Sequence, residues 1–161
     1  MPVSARKAVI ACCLGLAVPA LPGQAAITEA DIAACLNASE AREDPALCVA
    51  AAHAECRAFP DTAPSAAAEC FLAARTDWGT LIAAQMERVA AKASERVAQV
   101  ARIEVKYDLL ANLLQCDRME ELARAASNDS GETIQRQKAR CAAAAAGLAY
   151  LRLKYRALGL K

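Results

Sequence analysis

The stretch IAAQMERVAAKASERVAQVARIEVKYDLLANLL, Ile82–Leu114, decides the fold. Its apolar positions are Ile82, Met86, Val89, Ala93, Val97, Val100, Ile103, Tyr107, Leu110 and Leu114, separated by threes and fours throughout. That spacing puts them along one side of an α-helix. No proline lies between Ser65 and Gly131, and after Gly79 the next glycine is Gly131. A single rod of this length exceeds the three to four turns usual in globular proteins. Two arrangements stay open: one long helix bracing a bundle, or a helical hairpin that folds back near Ala90–Arg96.

The chain around this stretch is also helical in character. Alanine, the best helix former, occurs 43 times, against six glycines and six prolines. A first helix is predicted from Thr28, with Asp31 three residues on in a capping arrangement and Ile32, Cys35 and Leu36 on one face. Asn37–Glu43 reads as a polar turn. Asp44-Pro45 starts a second helix, with Asp as cap and Pro in the first helical position, running to about Ala58. Phe59–Pro64 forms a loop, and Ser65 caps a third helix. Asn128-Asp129-Ser130-Gly131 is the clearest turn, and a last helix follows from about Thr133 to Leu158. No alternating strand pattern of useful length is present. The expected fold is all-α: a small disulfide-linked bundle of four to five helices, with the long helix or hairpin in the middle.

Residues 1–25 read as a secretory signal peptide. Arg6 and Lys7 supply the basic end, Ala8–Val18 the short apolar run, and Pro19, Pro22 and Gly23 the break before a small-residue site. Cleavage is expected after Ala25, leaving 26–161 as a single helical domain. The apolar run is too short for a membrane anchor. Too little apolar chain precedes Val9-Ile10-Ala11-Cys12 for a lipid-attachment site. The segment removes two basic charges, leaving 17 Lys and Arg against 18 Asp and Glu. A nearly neutral chain does not suit a nucleic-acid partner, which needs a basic surface. The local clusters Arg136, Lys138, Arg140 and Arg152, Lys154, Arg156 read as solvated helix faces.

Cys12 and Cys13 leave with the signal, and Cys35, Cys48, Cys56, Cys70, Cys116 and Cys141 remain. An even count in a small exported domain implies disulfides. No C-x-x-C pair is present and His53 is the sole histidine, so no metal site is expected. Six cysteines allow 15 pairings. Joining neighbours gives Cys35–Cys48, Cys56–Cys70 and Cys116–Cys141, each tying two consecutive helices. Helices faced with alanine bury little area per residue, so such bridges carry much of the stability.

This frame resembles a known family. Cys35-Leu36, Cys48, Cys56 and Cys70, with Trp78 eight residues on and Leu81-Ile82 after it, are similar to the LprI-like lysozyme-inhibitor family of exported bacterial proteins. So are Cys116, Gly131-Glu132-Thr133-Ile134, Arg140-Cys141 and Leu148–Leu151, which extends the resemblance from about Thr28 to Arg156. The chain departs from the family pattern after its tryptophan, where Gly79 stands in place of Asp. It also has Tyr107-Asp108-Leu109-Leu110 where the family carries a second tryptophan. The resemblance implies contact with another protein, lysozyme being the expected partner, and no catalysis.

The residues point the same way. A nucleophile needs an adjacent base, and His53 stands alone in Ala51-Ala52-His53-Ala54. No phosphate loop, dinucleotide fingerprint or paired-histidine motif is present, so no cofactor is expected. Glu120 and Glu121 are adjacent on a helix, point different ways and read as solvated. Trp78 is either a core anchor or a partner hot spot, for which Trp is enriched. An inhibitor of a basic enzyme gains from an acidic face, and Glu40, Glu43, Asp44, Glu55 and Asp61 are its candidates in the N-terminal third. The alternative class is an assembly protein that pairs through the amphipathic stripe Ile82–Leu114.

Overall fold

The computed structural model describes residues 26–38 and 43–158. The expected signal peptide and its cleavage site, and Glu40, lie outside these residues. Six helices and no strand are present among them: α1 (Glu29–Asn37), α2 (Ala46–Ala52), α3 (Ala54–Arg57), α4 (Pro64–Lys92), α5 (Glu95–Ala126) and α6 (Gly131–Leu158). The all-α, disulfide-linked bundle expected from the sequence is what forms.

Local chemistry explains the boundaries. Thr28 caps α1, its hydroxyl accepting from the Asp31 backbone N–H at 3.2 Å. Asp44 caps the next helical stretch by accepting from the Ala46 N–H at 3.0 Å. The single helix expected over 44–58 is two, because the backbone at His53 leaves helical geometry and divides α2 from α3. The cap expected of Ser65 is displaced: α4 starts one residue earlier with Pro64 at its first position, where the missing N–H has no helical partner to lose.

The Ile82–Leu114 stretch is a hairpin. Its helix stops at Lys92, Ala93 is extended, and the Ser94 hydroxyl accepts from the Val97 N–H to start α5. The second connection, Ser127–Ser130, leads into α6, where the Ser130 hydroxyl accepts from the Thr133 N–H. α6 lies between α4 and α5, parallel to α4 and antiparallel to α5. A helix with neighbours on two sides is apolar over most of its circumference. Ala142, Ala143, Ala145, Ala146, Gly147 and Ala149 are accordingly all buried.

The bulky core sits where α2, α4 and α6 meet. Trp78, Tyr150, Phe71 and Ile32 are its largest fully buried side chains. The Trp78 and Tyr150 rings pack at 5.7 Å between centroids. Gly147 makes this convergence possible. A methyl group at its position would lie 2.7 Å from Val49 Cγ1 and 3.0 Å from Trp78 Cε2, well inside contact distance.

All three disulfides join neighbours along the chain: Cys35–Cys48, Cys56–Cys70 and Cys116–Cys141, with Cα atoms 5.8, 5.4 and 5.7 Å apart. They tie α1 to α2, α3 to α4 and α5 to α6. In the chain-entropy model each loop of this size contributes about 3 kcal/mol.

Candidate functional site

Among the described residues, most of the exposed large apolar side chains are on α5. Its inward face is built from small or medium side chains, Ala98, Ala101, Val105, Leu109 and Cys116, which pack toward the core. Roughly opposite on the helix run Val97, Val100, Ile103, Tyr107, Leu110 and Leu114, between 37% and 64% exposed. Met119 and Leu122 extend the exposed apolar surface one to two turns further. Both faces repeat at threes and fours, so periodicity alone does not say which one is inside. Cys116 decides it. Its bridge to Cys141 pins the small-residue face against α6, with the two Cα atoms 5.7 Å apart.

The stripe read from the sequence as continuous therefore splits at the hairpin. Ile82 and Val89 are buried in α4, and only the half from Val97 onward faces solvent. The expectation that the whole stretch Ile82–Leu114 is available for pairing is corrected to its α5 portion.

The other candidate residues are placed as follows. The six cysteines are all in bridges. Trp78 is 0% exposed, so its place is the core and it presents nothing to a partner in the folded monomer. Its indole N–H donates to His53 Nε2 at 2.9 Å. His53 is itself buried, edge-on to Phe71 at 5.8 Å. Burial holds its pKa down to about 4, with the charges of Arg57 and Arg140 adding to the effect. A neutral imidazole used as a hydrogen-bond acceptor by tryptophan is a structural element of this core. Its partner could not have been named from the sequence, because 25 residues separate the two.

Two of the acidic residues of the N-terminal third, Asp44 and Asp61, have structural duties. Asp44 is a helix cap, and Asp61 pairs with Arg136 at 2.9 Å. Glu43 is exposed. Glu55 borders a groove of about 350 Å³ with Asp31 on the α1–α2 side of the molecule.

The basic clusters of α6 meet solvent, with Arg140, Arg152 and Arg156 exposed, and most of their residues also reach a carboxylate, Arg136 that of Asp61 in the loop before α4. Arg152 binds Asp108, and Arg156 binds Glu104, both on α5. Lys154 reaches Glu29 of α1 at 3.2 Å, and Glu29 also holds Arg88 of α4 at 3.0 Å. Lys138 bridges Asp117 at 2.9 Å and Glu120 at 2.5 Å. Glu120 also accepts from Arg124 and Gln135. Its side chain is 12% exposed and held by these partners, whereas Glu121 is exposed as expected. Hydrogen bonds from Lys138 and Arg124 hold the Glu120 carboxyl down to about 2.

Compared with family models, curated proteins and solved structures, the chain matches none. Among the described residues no helix is long and apolar enough to cross a membrane.

Proposed function

We propose that this chain is an exported, non-catalytic binding module that acts by contact with another protein, through the outward face of α5. The observation that carries the reading is the exposed row from Val97 to Leu114. A chain with only six aromatic residues and a thin, alanine-rich core has few bulky side chains to spare. Leaving a contiguous row of them in water forgoes burial worth roughly 25 cal/mol per Å². Extended apolar patches of this kind mark interaction surfaces. Three disulfides in a chain of this size support export to an oxidising compartment.

Kinship with the LprI-like lysozyme inhibitors rests on the spacing of the six cysteines and Trp78, and it supplies lysozyme as the expected partner. Purified protein with its disulfides intact, added at micromolar excess, is expected to slow cell-wall lysis by lysozyme. The I103E/L110E variant is expected to lose that effect. Unchanged lysis with the native protein removes lysozyme as the partner.

The alternative, an assembly protein that pairs through the long helix, is favoured by one particular of the same face. Val100, Ile103, Tyr107, Leu110 and Leu114 alternate steps of three and four, the spacing of a two-helix seam.

A further inference from the structure

The exposed face of α5 has a charge at each end. Arg96 lies one turn before Val100, and Glu121 lies two turns beyond Leu114 along the same line of the helix. Both are exposed, and neither has an ion-pair partner among the described residues. This distinguishes them from Glu104, Asp108, Asp117 and Glu120, which are spent on α6.

We propose that the face is covered by the same face of a second copy of this chain, with the two α5 helices antiparallel. The proposal rests on α5 being the contact surface and names what covers it. In an antiparallel seam, positions of the two alternating types face each other across the interface. Setting Tyr107 against Leu110 of the second copy places Ile103 against Leu114 and Val100 against Asp117, whose carboxylate is already paired with Lys138 of its own chain. The same register then brings Arg96 opposite Glu121, and two-fold symmetry repeats the pair at the other end. Beside the seam, Gln99 approaches Glu120 and Val97 approaches Arg118, so no like charges are opposed. A parallel arrangement would put Arg96 on Arg96 and Glu121 on Glu121, which is repulsive at both ends. The two apolar rows together remove on the order of 1,000 Å² from water before the flanks are counted, near the lower end of stable interfaces. Tyr107, the most exposed of the row at 64%, sits at the centre, where aromatic residues concentrate binding energy.

Sedimentation velocity on the full disulfide-bonded protein tests this. The native protein is expected to be a dimer at about 10–100 µM, and I103E/L110E a monomer with unchanged helical circular dichroism. R96E is expected to weaken the dimer at least about tenfold by setting Glu against Glu at both ends. R96E/E121R, which restores opposite charges with reversed sign, is expected to bring it back. A native protein that stays monomeric overturns the second copy as occupant and leaves α5 as a surface for a different protein. A dimer that survives I103E/L110E overturns both the self-pairing and α5 as the contact surface. A dimer that R96E weakens and the reversed pair does not rescue overturns the antiparallel register.

Discussion

Two buried positions set the tolerances of the core. Gly147 lets α6 approach Val49 and Trp78, and it needs no unusual backbone angle to do so. Gly147→Ala improves helix propensity by about 1 kcal/mol, yet its methyl group would overlap backed-up side chains, a cost of roughly 1–3 kcal/mol. The Val49 and Trp78 atoms it meets belong to short or rigid groups, so the clash is expected to win. Chemical denaturation of the variant should show a net loss, and a gain would mean that α6 is not packed this closely. His53 gives the core a pH dependence. Its pKa is lower folded, about 4, than unfolded, near 6.5. The stability gained by keeping it neutral is therefore full above pH 6.5 and is lost as pH falls toward 4. The expected loss is on the order of 3 kcal/mol. Glu120 adds a second slope lower down, because its stabilisation is present above about 4.5 and fades as pH falls toward 2. Denaturation midpoints measured between pH 7 and pH 4 should fall for the native protein. His53→Gln keeps an acceptor for the Trp78 N–H without titrating there, and its midpoints should vary less over that range.

The helices were largely legible in the sequence, and their orientation was less so. Thr28, Asp44 and the Asn128–Gly131 turn were readable because caps and turns depend on residues only a few positions apart. The break at His53 was not, since no glycine or proline marks it and its side-chain partner, Trp78, is 25 residues away. The hairpin at Ala93-Ser94 was one of two readings, and what settles it is the Ser94 cap on Val97. Ser94→Ala is expected to cost about 1 kcal/mol, and exchange of the first amide protons of α5 should quicken. Which face of α5 lies inward was beyond periodicity, because two apolar rows with the same spacing compete. The larger row would win on hydrophobic area alone. The Cys116–Cys141 bridge favours the smaller one. Removing that bridge in C116S/C141S is expected to cost about 3 kcal/mol. It should also raise hydrogen exchange in α5 more than in α4, whose own link to α3 stays intact. Equal effects on both helices would mean that the bridge does not hold α5 in its rotational setting.

Across the whole molecule, covalent links and interhelical ion pairs do what large side chains do in most bundles. Each bridge joins a helix to its successor, and Glu29, Asp108 and Glu120 pair helices through α6 or α4. Exposed pairs of this kind contribute little singly, typically 0–1 kcal/mol, so the sulfur links are the larger share. The arrangement frees the bulky row of α5 from the core and leaves it facing solvent. The pairing of the cysteines is thus the point on which stability, the setting of α5 and the exposed face all depend. A peptide map under non-reducing conditions, on protein isolated from its native host, reads that pairing. Three cross-linked peptide pairs are expected, joining Cys35 to Cys48, Cys56 to Cys70 and Cys116 to Cys141. Free thiols at these six positions, or Cys116 joined to any other cysteine, would contradict it.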